Sequence, residues 1–268
     1  MSSRTDLSAT KLTVITVVFN AADRIEDTIR SVLSQDYEDI EYIIKDGGSD
    51  DDTPVIVKRY ADDDDRIKYV QGPDKGIYDA MNIALSEASG GVIEFLNAGD
   101  RFASPDVCSR AMSVMTGSGS DIVFGDLMYE NPDGTTDIRR YPQSCAKKIY
   151  YLTGDVINHQ VIFAKRELFD NALFDTTLKI CADREWMMRI RAYTPVRKMT
   201  ALGFVVAIYP LDGYSVINKE RYRREATACI RRHMPLGYPV YAVFEFIRSN
   251  RYLAGLLHRL YKLLYMAK

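Results

Sequence analysis

From Leu12 to Phe19 the chain reads LTVITVVF, an almost unbroken apolar and β-branched run that predicts a strand buried on both faces of a sheet. Asn20 follows as the expected helix cap, and Ile25, Ile29, Val32 and Leu33 then recur at helical spacing among charges. The alternation repeats. It predicts strands over Ile40–Lys45, Ile67–Val70, Val92–Leu96 and Ile122–Phe124, and helices over Asp51–Tyr60, Tyr78–Ala88 and Pro105–Met115. Strands and helices in turn, joined by short Gly/Asp-rich connections, imply an α/β, doubly wound, mostly parallel sheet. Ligands of such sheets collect beyond the carboxyl ends of the strands.

After residue 126 the regular alternation stops. Asn131-Pro132-Asp133-Gly134 predicts the turn of a hairpin over Met128–Tyr141. Val161–Phe163 and Ala201–Tyr209 read as further strands and Asp183–Tyr193 as a helix. No linker separates the halves. The expectation is an N-terminal tail 1–10, one α/β domain 11–216 with a mixed second half (11–125 and 126–216), and a helical C-terminal tail 217–268 as an appendage.

Composition narrows the class. With 47% hydrophobic and 27% charged residues, the chain of 268 can bury a core, which excludes disordered and collagen-like classes. Cys108, Cys145, Cys181 and Cys229 are widely spaced and His occurs only at 159, 233 and 258, so neither a disulfide framework nor a zinc cluster is implied. A reducing compartment is expected, and Met1–Thr10 lacks the basic-then-apolar pattern of a secretion signal. No apolar run approaches the roughly 18 residues of a membrane span.

The net charge of −2 conceals a division: residues 219–268 carry eleven Lys/Arg against three Glu, a local +8, which leaves −10 for residues 1–218. Leu253, Leu256, Leu257, Leu260, Leu263 and Leu264 recur at three- and four-residue steps beside Arg251, Arg259 and Lys262, an amphipathic basic helix. Its stripe fits an anionic membrane surface or packing on protein, a subunit contact included. No nucleic-acid-binding fold accompanies the charge.

Candidate chemistry lies just past the strand ends. Asp46-Gly47-Gly48-Ser49-Asp50-Asp51 follows the second strand, Gly72-Pro73-Asp74-Lys75-Gly76 the third and Asn97-Ala98-Gly99-Asp100 the fourth. Each alone is an ordinary turn, but three on one edge form a polar cleft.

The strings VITVVFNAADRIEDTIRSVLSQDYEDIEYIIKDGGSDDDT and GPDKGIYDAMNIALSEASGGVIEFLNAGD resemble the opening segments of the family 2 glycosyltransferases with the GT-A fold. The likeness is dense over residues 11–101, thinner to 215, and nearest to bacterial enzymes of exopolysaccharide, capsule or O-antigen synthesis. It implies that the turn Thr16 to Asn20, with Val18 inside it, borders the nucleotide, and that Asp46 with Gly47 to Ser49 meets the base. Lys75, beside Gly76, would stand against the diphosphate or remain a solvated loop lysine.

The family's Asp-x-Asp metal motif falls on Asn97 to Asp100, where only Asp100 keeps a carboxylate. One carboxylate suffices for Mg²⁺ or Mn²⁺ when phosphates and water supply the other oxygens. Asp183, in Cys181-Ala182-Asp183-Arg184-Glu185-Trp186, matches the family's catalytic Asp at a helix start, where it would be the base or only a cap; Glu185 would face elsewhere. His159-Gln160 resembles a pair common in these enzymes, Asp126 lines the same edge, and Gly213-Tyr214-Ser215 resembles a closing turn.

The resemblance implies an inverting, metal-dependent transfer of a sugar from a nucleoside diphosphate sugar, a UDP-sugar first, to a hydroxyl of a lipid-linked or growing glycan acceptor at the inner face of a bacterial membrane. Two other readings stay open. A nucleotidyltransferase would release pyrophosphate, and a catalytically silent nucleotide-sugar scaffold would bind without turnover.

Overall fold

The computed structural model describes residues 10–153, 155–170, 172–193, 198–211 and 218–249. All seven residues of strand β1 (Leu12–Val18) are buried, because β2 (Ile40–Asp46) lies parallel on one side and β4 (Val92–Phe95) on the other. Strand β3 (Ile67–Gln71) completes this parallel half outside β2. The register aligns the strand ends: Val18 lies opposite Asp46, and Asp46 opposite Gln71. Loops leaving β1, β2 and β3 therefore emerge together, as the hydrophobic pattern predicts.

The crossover helices are α1 (Ile25–Leu33), α2 (Thr53–Asp63) and α3 (Ile77–Glu87), followed by α4 (Val107–Ser118). Helix α1 buries Ile25, Thr28, Ile29 and Val32, one face at helical spacing. Asn20 does not cap it. Asn20 sits in the left-handed region at φ 48°, and a turn to Arg24 separates it from the helix.

The second half is mixed. Strand β6 (Ile122–Glu130) pairs antiparallel with β7 (Thr136–Arg139), the expected hairpin, and antiparallel with β8 (Ile162–Lys165). Strand β8 is antiparallel to β4 and so joins the halves, while β9 (Met199–Pro210) runs parallel to β6 and pairs with the short β5 (Arg101–Phe102). The sheet order is β3-β2-β1-β4-β8-β6-β9-β5, with β7 attached to β6. Strand β6 is three times the predicted length. It passes through Gly125, where a Cβ would stand 2.4 Å from Val206 Cγ2 and 2.7 Å from the Phe204 carbonyl oxygen, and its register with β9 shifts there.

Helices α5 (Glu167–Asp170) and α6 (Ala182–Tyr193) lead toward α7 (Lys219–His233) and α8 (Tyr238–Ser249). Residues 219–249 are not a loose appendage. Ala226, Cys229, Ile230 and Tyr241 are buried, and Gly237 lies so close to Leu152 that a Cβ would meet its side chain. Among the described residues no helix is long and apolar enough to cross a membrane. The Leu253 to Leu264 stripe and Gly213-Tyr214-Ser215 lie outside the described residues.

Candidate active site

Three loops are fastened into one wall by side chains. The Asp46 carboxylate is fully buried: Oδ1 accepts the Gly48 N–H at 2.9 Å, the Ser49 N–H at 2.8 Å and the Ser49 hydroxyl at 2.8 Å. Its Oδ2 accepts the Tyr69 hydroxyl at 2.7 Å. Burial, then the Asp46 charge, pushes the Tyr69 phenol up, so it stays a donor. Asp46 thus shapes the loop with all the lone pairs these contacts occupy.

The loop after β1 is stitched to the same segment. Ser49 Oγ accepts the Asn20 N–H at 2.8 Å, and the Asn20 amide exchanges two bonds with Asp50. Thr16 and Val18 turn inward; the Thr16 hydroxyl donates to the Leu96 carbonyl at 2.6 Å and knits β1 to the loop after β4. The open surface of this turn belongs to Phe19, 63% exposed, and to Asn20. A Cβ on Gly47 would lie 3.3 Å from the Phe19 ring and 2.7 Å from the Asp74 carboxylate, so the glycine lets both side chains come close over this loop.

A buried lysine ties in the third loop. Lys45 Nζ donates to the Asp46 and Gly72 carbonyls at 2.7 and 2.6 Å and meets Asp74 Oδ2 at 3.3 Å. Asp74 in turn accepts the Gly76 N–H, and the Lys75 N–H reaches Asp79, leaving the Lys75 side chain exposed at the rim. Lys179, from the second half, donates to the Lys75 carbonyl at 3.1 Å.

The loop after β4 turns tightly. The Asp100 N–H bonds the Asn97 carbonyl at 2.9 Å, Gly99 has φ 98°, and the Thr28 hydroxyl holds both the Gly99 N–H and the Asp100 carbonyl. Asp100 is buried, and Arg24 packs over Gly99. Beneath them Glu94 is fully buried with no hydrogen-bond partner for either oxygen among the described residues. Burial first, and then the Asp100 charge, pushes its carboxyl well above the usual range.

A hydrogen-bonded chain crosses the cleft. Asn97 Nδ2 meets His159 Nε2 at 2.9 Å, and His159 Nδ1 meets Asp183 Oδ2 at 3.1 Å. A carboxylate oxygen only accepts, so Nδ1 is the donor of the bond to Asp183. The other Asp183 oxygen accepts the Tyr78 hydroxyl at 3.1 Å and the Arg184 N–H at 2.8 Å. Burial alone would raise the Asp183 pKa, but the hydrogen bonds from His159, the Arg184 N–H and Tyr78 outweigh it and hold the carboxyl below its ordinary 3.8. Tyr78 moves the opposite way, pushed well up by burial and then by Asp183, and so remains a donor.

Other acidic candidates stand apart. Glu185 is buried against Arg189 at 3.0 Å and His233 at 2.7 Å. Asp126 accepts the Tyr141 N–H at 2.7 Å, and Gln160 is buried behind His159. The residues that the sequence did not flag are Phe19, Lys45, Tyr78 and Lys179. An exposed aromatic directly after a buried strand was the one visible signal; the others meet partners up to 105 positions away.

Among the described residues no three His, Cys, Asp or Glu side chains converge as a metal site. A divalent ion held at this tight turn would take Asp100 as its one protein carboxylate and fill its shell from phosphate and water oxygens.

Residues 13–193 match the family model for Glycosyl transferase family 2. An uncharacterized glycosyltransferase of Mycobacterium tuberculosis is 35% identical over 187 residues, covering 68% of this chain and 69% of that one. A Campylobacter jejuni GalNAc(5)-diNAcBac-PP-undecaprenol beta-1,3-glucosyltransferase is 36% identical over 125 residues, 45% of this chain and 39% of that one. Residues 1–349 of S. aureus TarS, solved in complex with UDP-GlcNAc, superpose with a TM-score of 0.67 at 20% identity over 90% of this chain and 74% of that one. The parallel half that gathers the loops, the mixed half that supplies Asp183 and these likenesses agree on a GT-A fold, and the chain belongs to glycosyl transferase family 2.

Proposed function

We propose that this chain is an inverting glycosyltransferase of bacterial surface polysaccharide synthesis. It would take a nucleoside diphosphate sugar, a UDP-sugar first, and glycosylate a hydroxyl of a lipid-linked or growing glycan acceptor. The observation that carries the reading is the chain Asn97–His159–Asp183, which sets an ionised carboxylate opposite the wall of loops. The UDP-GlcNAc complex of the TarS neighbour and the undecaprenol-linked substrate in the Campylobacter relative's name support the donor and acceptor classes.

The roles follow from chemistry. An attacking hydroxyl must lose its proton as the new bond forms, and Asp183, ionised at neutral pH, takes it. Asp183 sits at the first turn of α6, where the helix dipole favours its charge. Phe19 offers its face to the base, the Asn20 and Gly47–Ser49 loop lies beside it, and exposed Lys75 offsets charge on the diphosphate. Asp100 would hold Mg²⁺ or Mn²⁺, which neutralises charge on the departing diphosphate. The basic C-terminal region would rest on the anionic inner face of the cell membrane, close to lipid-linked acceptors.

Asp183→Asn tests the base. The amide keeps the size and much of the capping ability but cannot take a proton, so transfer should fall by roughly 10² to 10⁴ while nucleotide-sugar binding persists. A folded variant transferring at the wild-type rate overturns the assignment.

A further inference from the structure

Three consecutive backbone N–H groups just before α6 converge on one side chain that lies more than forty residues downstream. The Glu225 carboxylate, on α7, accepts the Lys179 N–H at 3.1 Å on both oxygens, the Ile180 N–H at 2.8 Å and the Cys181 N–H at 3.1 Å. Helix α6 starts at once: the Glu185 N–H bonds the Cys181 carbonyl at 2.8 Å. One charge thus gathers donors that would otherwise stay unpaired at a helix start, where the dipole favours an anion. The same face of α7 adds Tyr222, whose carbonyl accepts the Cys181 thiol at 3.6 Å and whose hydroxyl meets Arg184 at 3.3 Å.

The opposite side of this short segment is bound to the donor half. The single Tyr78 O–H is shared between the Ile180 carbonyl at 2.7 Å and Asp183 Oδ1 at 3.1 Å, and Lys179 Nζ donates to the Lys75 carbonyl. Residues 179–183 are strung between α7 and the loops of the cleft, so the place of Asp183 depends on both anchors. We propose that Glu225 is a positioning residue that sets Asp183 at its distance from His159 and Tyr78, and Lys179 over the Lys75–Gly76 rim. The catalytic consequence rests on Asp183 being the base. A misplacement of about 1 Å at a reacting group can cost on the order of 10² in rate.

The test is made on the full chain with Glu225→Ala, Glu225→Asp and Glu225→Gln. The nitrogen NMR signals of the His159 ring, assigned with His159→Gln, report the Nδ1–H bond to Asp183 without any substrate. Glu225→Ala and the shortened Glu225→Asp should shift the Nδ1 signal in the direction that Asp183→Asn shifts it, while Glu225→Gln, which keeps one accepting oxygen, should fall between them and wild type. Turnover is followed as nucleotide release from a panel of UDP-, GDP-, dTDP- and CMP-sugars with Mn²⁺, and Glu225→Ala should lower kcat about 10²-fold with donor KM within twofold. A folded Glu225→Ala or Glu225→Asp protein with the wild-type His159 spectrum overturns the proposal, as does a lower melting temperature with an unchanged rate per folded molecule. If Glu225→Ala does not fold, the Asp and Gln variants decide by the same spectrum. Asp183→Asn turning over at the wild-type rate would sink the base instead, and the spectrum would still show whether Glu225 places Asp183.

Discussion

Asp183, half-buried, and Glu94, fully buried, are carboxyls of one cleft region, and their surroundings drive them apart. Asp183 gains donors from His159, Tyr78 and Arg184 that outweigh burial, so it is ionised at neutral pH and contributes stability that is lost only as pH falls through its lowered pKa. Glu94 gains none and lies near Asp100, so it is protonated in the folded chain and ionised once unfolded above its ordinary value near 4.5. Unfolding then releases a proton, and stability falls as pH rises between the unfolded and the raised folded pKa, by at most about 1.36 kcal/mol per pH unit. Glu94→Gln removes the titration. Urea unfolding of this variant from pH 5 to 8 should lack that slope, so its advantage over wild type widens with pH; parallel curves would show that Glu94 finds a partner on ionisation. The loops at the strand ends singled out Asp46 and Asp100, while the family resemblance pointed to His159, just before a strand, and to Asp183, at a helix start. Sequence reasoning passed over Glu94, Lys45 and Tyr78, since a polar residue inside an element gives no sign of what it meets across the fold.

Strand β6 shows where element prediction stops working. Periodicity found β1 to β4 and their helices because each pairs a short apolar run with an amphipathic helix, a signal contained in about ten residues. It ended the fifth strand at Phe124 and placed Asp126 on the edge beyond it. The structure continues to Glu130, because Gly125 lets the Phe204–Val206 backbone of β9 approach closely and Asp126 is satisfied by the Tyr141 N–H. The short β5 was invisible for a related reason: two residues acquire strand geometry only from pairing with β9. Gly125→Ala should therefore cost about 1–3 kcal/mol, as the new methyl meets a carbonyl that cannot move without displacing a strand. Gly117→Ala is the contrast. It lies in α4 with nothing within 4 Å of its Cβ position, and should stabilise by about 0.5–1 kcal/mol. Equal effects in urea melts would refute the close approach at β9.

Charge and packing divide the whole molecule differently. By charge, residues 219–268 stand against the rest, +8 against −10. By packing, α7 belongs to the cleft through Glu225 and Tyr222, Gly237 at the corner lies against Leu152, and α8 buries Tyr241. What faces outward is the complement of those contacts: Arg223, Arg224, Arg231 and Arg232 on α7, Leu236, 97% exposed, at the corner, and Val240, Val243 and Phe246 on α8. Exposed arginines beside exposed apolar side chains, continuing toward the basic leucine-rich residues 253–264, fit an anionic lipid surface better than a neutral one. The full chain should sediment with vesicles containing phosphatidylglycerol, less with pure phosphatidylcholine, and less again as salt shortens the reach of the charges. Where the chain is cut decides what is learned. Removing residues 250–268 should weaken sedimentation and leave nucleotide release intact, because α7 and α8 keep their contacts. Removing residues from 238 onward takes away the buried Tyr241 and should also lower the melting temperature, and removing residues from 219 onward takes Glu225 away and should abolish turnover. Equal sedimentation on both lipids at low salt would refute the electrostatic attraction, and full sedimentation after loss of residues 250–268 would assign it to the arginines of α7 alone.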